Sequence, residues 1–332
     1  MIESPDVPTA RAKRLGVIGT FVWDTIYGRD PAGGPVEEWG GITYALSGLD
    51  ASLPDGWEIV PIIKVGHDLV DRAREFIATL PRMAPDAALI DVPYPNNRVE
   101  LRYETAERRC ERLTGGVPGW SWLGLKPLLV GLDALYINFL SGWELDLETL
   151  QLLRQHFAGP IYCDLHMLVM AVQPSGWREL RPLPNVEGWC RCVDVLQVNE
   201  DEVGAMASDA MALAATAMSA GVRCLVVTLG SRGAVYFAPP DFDRLTDLAR
   251  PRALGATVGP VRTERIPPPR VLLDGDPTGC GDVWGATYFS RLLAGDRLSD
   301  AMRVAHVAAG RNVEHRGATG LARHLRGELS AR

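Results

Sequence analysis

Short apolar runs recur along this chain, and between several of them lie stretches with the spacing of helices. The first run, Leu15-Gly16-Val17-Ile18-Gly19-Thr20-Phe21-Val22, carries no charge, and similar runs occupy 59–65, 134–139, 160–163, 193–198 and 224–229. A strand free of charge over its whole length expects apolar surroundings on both faces, as in a parallel sheet covered by helices. Helical patterns at 68–80, 147–157 and 200–220 supply those covering layers. Strands alternating with helices make βαβ units. The predicted fold class is therefore α/β, a doubly wound, mostly parallel sheet flanked by helices, in one main domain over 14–325. In such sheets ligands sit at the carboxyl ends of the strands, and functional residues are sought there.

Some segments break the alternation. Residues 24–44 and 92–112 are polar, charged and aromatic, and Val99-Glu100-Leu101-Arg102-Tyr103-Glu104 alternates like a strand exposed on one face. They predict a small sheet standing off the main domain, with a pair of surface hairpins as the alternative. Residues 1–13 hold two prolines and little apolar pattern, and read as a flexible tail. The stretch 239–269 has prolines at 239, 240, 251, 260, 267, 268 and 269 and reads as a long irregular loop.

A net charge of −7 argues against a surface built for nucleic-acid backbones. No run approaches the roughly 20 apolar residues of a membrane span, and the N-terminus lacks a signal-peptide core, so a cytoplasmic protein with no membrane partner is expected. The six cysteines include no C-x-x-C pair and the six histidines no zinc spacing, so buried thiols are expected rather than a metal or disulfide framework.

The chemistry concentrates at Asp276-Pro277-Thr278-Gly279-Cys280-Gly281-Asp282, which runs straight into an apolar, helix-like stretch. A glycine-rich turn opening a helix offers unpaired N–H groups and the positive end of the helix dipole to an anion. Gly279, Cys280 and Gly281 would hold a phosphate there. Asp282 would sit at its edge as general base for an attacking hydroxyl, which points to phosphoryl transfer to an alcohol. An ordinary capped helix is the alternative. Cys280, at a helix start, would either be a thiol of lowered pKa or fill packing space.

Other strand ends carry weaker signals. Thr228-Leu229-Gly230-Ser231-Arg232-Gly233 ends an apolar run in a Gly-rich turn, suited to a nucleotide or to a plain strand-to-strand turn. Asn199 and Glu202 would give oxygens to Mg²⁺ or cap a helix. Asn138 and Asp164 also end apolar runs and would reach the cleft. Arg102, Arg108 and Arg109 either close over a phosphorylated substrate or form a solvated face.

The 276–282 segment resembles the Asp-Thr-Thr-Gly-Ala-Gly-Asp signature of the PfkB/ribokinase family of carbohydrate kinases, with Pro277 for the first Thr and Cys280 for Ala. Asn199/Glu202 and then Gly230/Gly233 precede it in the order of that family's motifs. The resemblance implies an ATP-dependent kinase of a small sugar. It implies Thr228, Gly230, Gly233 and Thr278 at the nucleotide, Asp24, Gly40 and Gly41 at the sugar, and a β lid made by 24–44 and 92–112; Asn138, from its place at a strand end, is expected to join the sugar contacts. Mg²⁺ would meet Asn199 and Glu202, directly or through water, and Asp276 would help hold a monovalent cation such as K⁺. Ala45 stands where the family's Gly-Gly-x-x-x-Asn has Asn, so ribose specificity does not carry over. A nucleoside kinase of the same family and a non-catalytic sugar- or nucleotide-binding regulator are the alternatives. A lid with an exposed apolar side would pair two copies in a homodimer. An NAD-dependent enzyme is disfavoured, because Gly16-Val17-Ile18-Gly19-Thr20-Phe21 lacks the G-x-G-x-x-G fingerprint.

Overall fold

The computed structural model describes residues 11–27, 34–103, 109–248, 259–269 and 275–329. Its strands are β1 (Lys13–Ile18), β2 (Phe21–Tyr27), β3 (Val36–Gly41), β4 (Trp57–Ile62), β5 (Lys64–Gly66), β6 (Ile90–Val92), β7 (Arg98–Tyr103) and β8 (Arg109–Thr114). They continue as β9 (Ala134–Asn138), β10 (Ile161–Asp164), β11 (Met170–Val172), β12 (Arg178–Leu180), β13 (Val195–Asn199), β14 (Cys224–Thr228), β15 (Ala234–Ala238) and β16 (Arg262–Ile266).

Eight of these form the main sheet in the order β16-β15-β14-β13-β10-β9-β1-β4. From β14 to β4 every pairing is parallel; β15 and β16 add an antiparallel edge. Side chains alternate across the sheet, as period-two geometry requires. Leu15, Val17, Tyr136 and Val226 pack into one apolar cluster, with the helices Ile42–Ser52, Cys280–Leu293 and Leu298–Val313. Ile18, Ile137, Leu196 and Val227 pack into a second on the opposite face, with Leu147–His156 and Ala210–Ser219. Both faces are buried, which is why the inner strands are apolar over most of their length, with Lys13 and Arg14 of β1 and Asp164 of β10 at strand ends.

The first apolar run does not form one strand. Its first part is β1, and after Gly19-Thr20 the chain leaves the main sheet to become β2. At Gly19 a Cβ would crowd the side chain of Ile42, at the start of the next helix. The 59–65 run likewise divides between β4 and β5. The helical pattern at 200–220 is two helices, Glu200–Met206 and Ala210–Ser219, the second capped by Asp209, which accepts the Ala212 N–H at 2.8 Å. The proline-rich 239–269 stretch is not wholly irregular. It contains β16, an edge strand where prolines on either side interrupt no inner ladder.

The second sheet, β3-β2-β7-β8, stands over the carboxyl ends of the main strands. It is the small sheet predicted, with shifted limits: residues 42–44 belong to the helix Ile42–Ser52 and residue 92 ends β6. Its apolar side, Val22, Ile26, Val99, Leu101 and Leu113, is buried, and Val22, Val99 and Leu101 line the cavity beneath it. Among the described residues this apolar side of the lid, whose exposure was the basis for expecting a homodimer, faces inward. No helix among the described residues is long and apolar enough to cross a membrane.

Candidate active site

The turn before the helix Cys280–Leu293 is shaped by its own side chains. Asp276 Oδ1 accepts the Thr278 N–H at 2.9 Å, and the Thr278 carbonyl accepts Asn312 Nδ2 at 2.8 Å. Gly279 then takes φ +73°, in the left-handed region, and the ring of Tyr44 lies so close that any Cβ would overlap it. The Cys280 N–H is engaged by the Pro277 carbonyl at 3.1 Å. Of the three amides expected to hold an anion, this leaves those of Gly279 and Gly281, and at Gly281 a Cβ would meet open space. The Cys280 thiol is no reactive group: burial pushes it up to about 11, and it faces the Ala309 carbonyl and Asn312 Nδ2.

Asp282, in the first turn, receives Asn138 Nδ2 on Oδ1 at 2.6 Å. Asn138, at the end of β9, thus stands behind the carboxylate rather than lining the cavity. At the end of β10, Asp164 Oδ2 accepts Gln197 Nε2 at 2.9 Å, and the same amide reaches the Gly281 carbonyl at 3.3 Å. Burial holds the Asp164 carboxyl well above the usual range. His166 follows at φ +32°, with Nδ1 3.6 Å from Glu202 Oε1. Burial pulls its pKa down, but the Glu202 hydrogen bond and the charges of Asp282, Asp164 and Glu202 outweigh this and raise it to about 9.

Asn199 and Glu202 form a complete capping box: Asn199 Oδ1 accepts the Glu202 N–H at 2.9 Å and Glu202 Oε2 accepts the Asn199 N–H at 2.8 Å. Both also line the cavity. From the lid, Asp24 reaches in with its carboxylate against Gly40, where a Cβ would collide with it. Gly41, at φ +61°, turns the chain into the next helix.

A cavity of about 240 Å³ lies between lid and main sheet, lined by Asp24 and Glu111 from the lid and by Gly279, Gly281 and Asp282 from the body. A second, of about 310 Å³, adjoins it across Thr228, Pro277, Cys280 and Gly281. Gly230, Gly233, Trp284, His306 and Val313 line this second space.

Residues 166–324 match the model of the pfkB family carbohydrate kinases. The matched segment includes the whole 276–282 signature. Solved structures agree on the fold, which is ribokinase-like. A pyrophosphate-dependent kinase of the ribokinase family, solved as a sulfate complex, aligns with TM-score 0.68 and 15% identity over 92% of this chain and 96% of its own. An adenosine kinase from Sinorhizobium meliloti aligns with TM-score 0.67 and 16% identity over 96% and 100%. Ribokinase from Cryptococcus neoformans var. grubii, in complex with ADP, aligns with TM-score 0.64 and 18% identity over 96% and 100%. No curated protein matches the chain.

Within the matched segment, sequence reasoning passed over His166 as a cavity residue and did not find Arg178, and outside it Tyr44 and Glu111 were missed. Only His166 had a local signal, two residues past Asp164 at a strand end. Arg102, singled out as a lid cation, lies over the Tyr27 ring, 4.7 Å from its centre, and beside Glu100. Arg108 lies outside the described residues, as does the side chain of Arg109.

Proposed function

We propose that the protein transfers the γ-phosphoryl group of ATP to a hydroxyl of a small sugar. The observation that carries this is the placement of Asp282 beside the Gly279 and Gly281 amides, at the N-terminus of a 14-residue helix, with its carboxylate oriented by Asn138. In-line attack by a hydroxyl on the γ-phosphorus needs a base at the oxygen and fixed dipoles where charge develops. Asp282 takes the proton as the acceptor oxygen bonds to the γ-phosphorus, while the bond from that phosphorus to the β,γ-bridging oxygen breaks and ADP leaves. The two glycine amides and the helix dipole hold the charge on the transferred group.

The 310 Å³ cavity on the other side of the signature supports a nucleotide donor. Its walls are largely apolar, with Trp284 and Val313 suited to a flat base and Gly230 and Gly233 at its edge. A pyrophosphate donor, as named for one structural relative, would leave that space without a ligand. Asn199 and Glu202 line the cavity and would hold Mg²⁺ through water, since the capping box and the 2.6 Å contact from Asn199 Nδ2 already engage Asn199 Oδ1 and both Glu202 oxygens. When bound it neutralises phosphate charge. Asp276 beside the turn is the candidate contact for K⁺, and turnover in potassium against sodium tests it.

The deciding assay is ADP release from Mg-ATP against hexoses, pentoses, polyols and nucleosides, with pyrophosphate in place of ATP as a second donor and Asp282→Asn in parallel. Turnover on one acceptor that the variant loses supports the reading. Wild-type turnover retained in Asp282→Asn overturns it. Turnover confined to nucleosides transfers the assignment to a nucleoside kinase.

A further inference from the structure

Gln197, on β13, has no part in the phosphoryl-transfer reading, yet it bonds to the turn on which that reading depends. Three buried polar side chains stand in register across neighbouring parallel strands: Asn138 of β9 beside Asp164 of β10, and Asp164 beside Gln197. Side chains paired in this way share one face of the sheet. Tyr136, Tyr162 and Val195, two residues earlier on the same strands, pack with the helix Cys280–Leu293, so the row lies against the first turn of that helix.

The Gln197 amide is engaged at both of its polar atoms. Nε2 donates to Asp164 Oδ2 at 2.9 Å and to the Gly281 carbonyl at 3.3 Å, while Oε1 accepts the Tyr162 hydroxyl. The Gly281 carbonyl can only accept, so an amide turned over would set oxygen against oxygen. Burial raises the Tyr162 pKa well above the usual tyrosine value, which keeps the phenol a donor. Tyr162 is fully buried and is not among the residues lining the cavity. From outside the cavity, its hydroxyl therefore fixes the amide that holds the Gly281 carbonyl.

That carbonyl and the Asp282 N–H belong to one peptide group. Gly281 has open space where a Cβ would sit, so no side chain of its own restrains this peptide. Asp282 is consequently held at two points, its carboxylate by Asn138 and the peptide before it by Gln197. One helical turn further on, Gly285 lets the helix settle on the same network. A Cβ there would come within 2.5 Å of Gln197 Oε1 and 2.8 Å of the Tyr162 hydroxyl oxygen.

Resting on the kinase reading of the same site, we propose that Gln197 and Tyr162 are positioning residues for phosphoryl transfer: Tyr162 orients the Gln197 amide, and the amide holds the Gly281–Asp282 peptide so that the base and the anion-binding turn keep one geometry.

Tyr162→Phe tests this by removing the hydroxyl and keeping the ring. Tyr136→Phe is its control, because the Tyr136 ring stacks on that of Tyr162 at 5.1 Å while its buried hydroxyl has no protein partner. Gln197→Met, of similar length, removes the tether itself; if it does not fold, the two tyrosine variants carry the test. Amide hydrogen exchange on the ligand-free, full-length proteins reads the turn directly. Tyr162→Phe and Gln197→Met are expected to speed exchange at residues 280–283 by about 5-fold, with the rest of the helix and the Tyr136→Phe protein unchanged. Kinetics with an acceptor that the wild type phosphorylates read the consequence. Tyr162→Phe should lower kcat by about 5-fold and Gln197→Met by about 10-fold, each with the KM for ATP unchanged, and Tyr136→Phe should match the wild type. Faster exchange at an unchanged kcat overturns the proposal, because the tether would then serve packing alone. A fall in kcat without faster exchange overturns it too, as does identical behaviour of the two tyrosine variants. If the wild type phosphorylates no compound tested, the exchange rates still decide the tether, and only the kinase reading falls.

Discussion

Asn138 Nδ2 and Asp282 Oδ1 meet at 2.6 Å, joining the end of β9 to the first turn of the helix Cys280–Leu293. Asn138 is fully buried, and burial together with its bond to Asp282 restricts the orientations of the amide. One carboxylate oxygen of Asp282 is thus fixed from behind. A base held in this way is aimed before substrate arrives.

Asp282→Asn is expected to lower kcat by about 10²–10⁴-fold, the usual contribution of a general base, with little change in the affinity for nucleotide. Asn138→Ala should lower kcat by a smaller factor, about 10-fold, and leave the KM for ATP unchanged. Steady-state kinetics on purified protein checks both. An equal loss in KM and kcat for Asn138→Ala would assign it to substrate contact instead.

Gly279→Ala is expected to damage the signature turn twice. Alanine resists φ +73°, and its methyl group would overlap the Tyr44 ring. Together these should cost at least about 2 kcal/mol of stability or displace the ring, with loss of turnover. Gly281→Ala has no such collision, because open space adjoins that position, so it should fold normally and weaken only ligand binding. Thermal melts of the two variants side by side distinguish these outcomes.

Tyr44→Phe isolates the hydroxyl from the ring. The Tyr44 hydroxyl is buried and unpaired in the protein, and burial together with the charges of Glu38, Asp276, Asp24 and Asp282 raises its pKa, so it stays a neutral O–H. Removing an unpaired buried hydroxyl while keeping the ring is neutral or stabilising, by up to about 1 kcal/mol. The ligand-free melting temperature should not fall. A clear drop would show that the hydroxyl is bonded in the free protein.

The legible parts of the sequence were those where function and local structure share a short segment. The 276–282 turn announces itself because glycine, aspartate and a helix start are adjacent. The uncharged runs reveal a sheet buried on both faces because strand period and burial act residue by residue. Neither kind of signal reaches Arg178, which faces the cavity only because β8 and β12 meet across the lid seam. Tyr44 was hidden for a different reason: within Ile42–Ser52 it is surrounded by buried apolar residues, and its ring is itself part of the core. The division of the first run at Gly19 was equally obscure. Apolar residues on both sides of that glycine satisfy a main-sheet strand and a lid strand alike.

The donor-side cavity supplies a prediction in pH. His306 accepts the Trp284 Nε1–H on Nδ1 at 3.0 Å, and its Nε2 lies 2.9 Å from the Ile266 carbonyl, which requires the neutral ring protonated at Nε2. Burial lowers the His306 pKa from 6.5, although the Ile266 hydrogen bond opposes this. The folded protein therefore binds this proton less readily than the unfolded chain. Stability from this site is present above the unfolded value of 6.5 and falls as pH drops below it, at a slope one proton limits to about 1.4 kcal/mol per pH unit. His306→Gln retains one acceptor and one donor for Trp284 and Ile266 but does not titrate. Urea midpoints at about pH 5.5 and about pH 8 should diverge more for the wild type than for His306→Gln. Equal acid sensitivity in the two proteins would place the titrating group elsewhere.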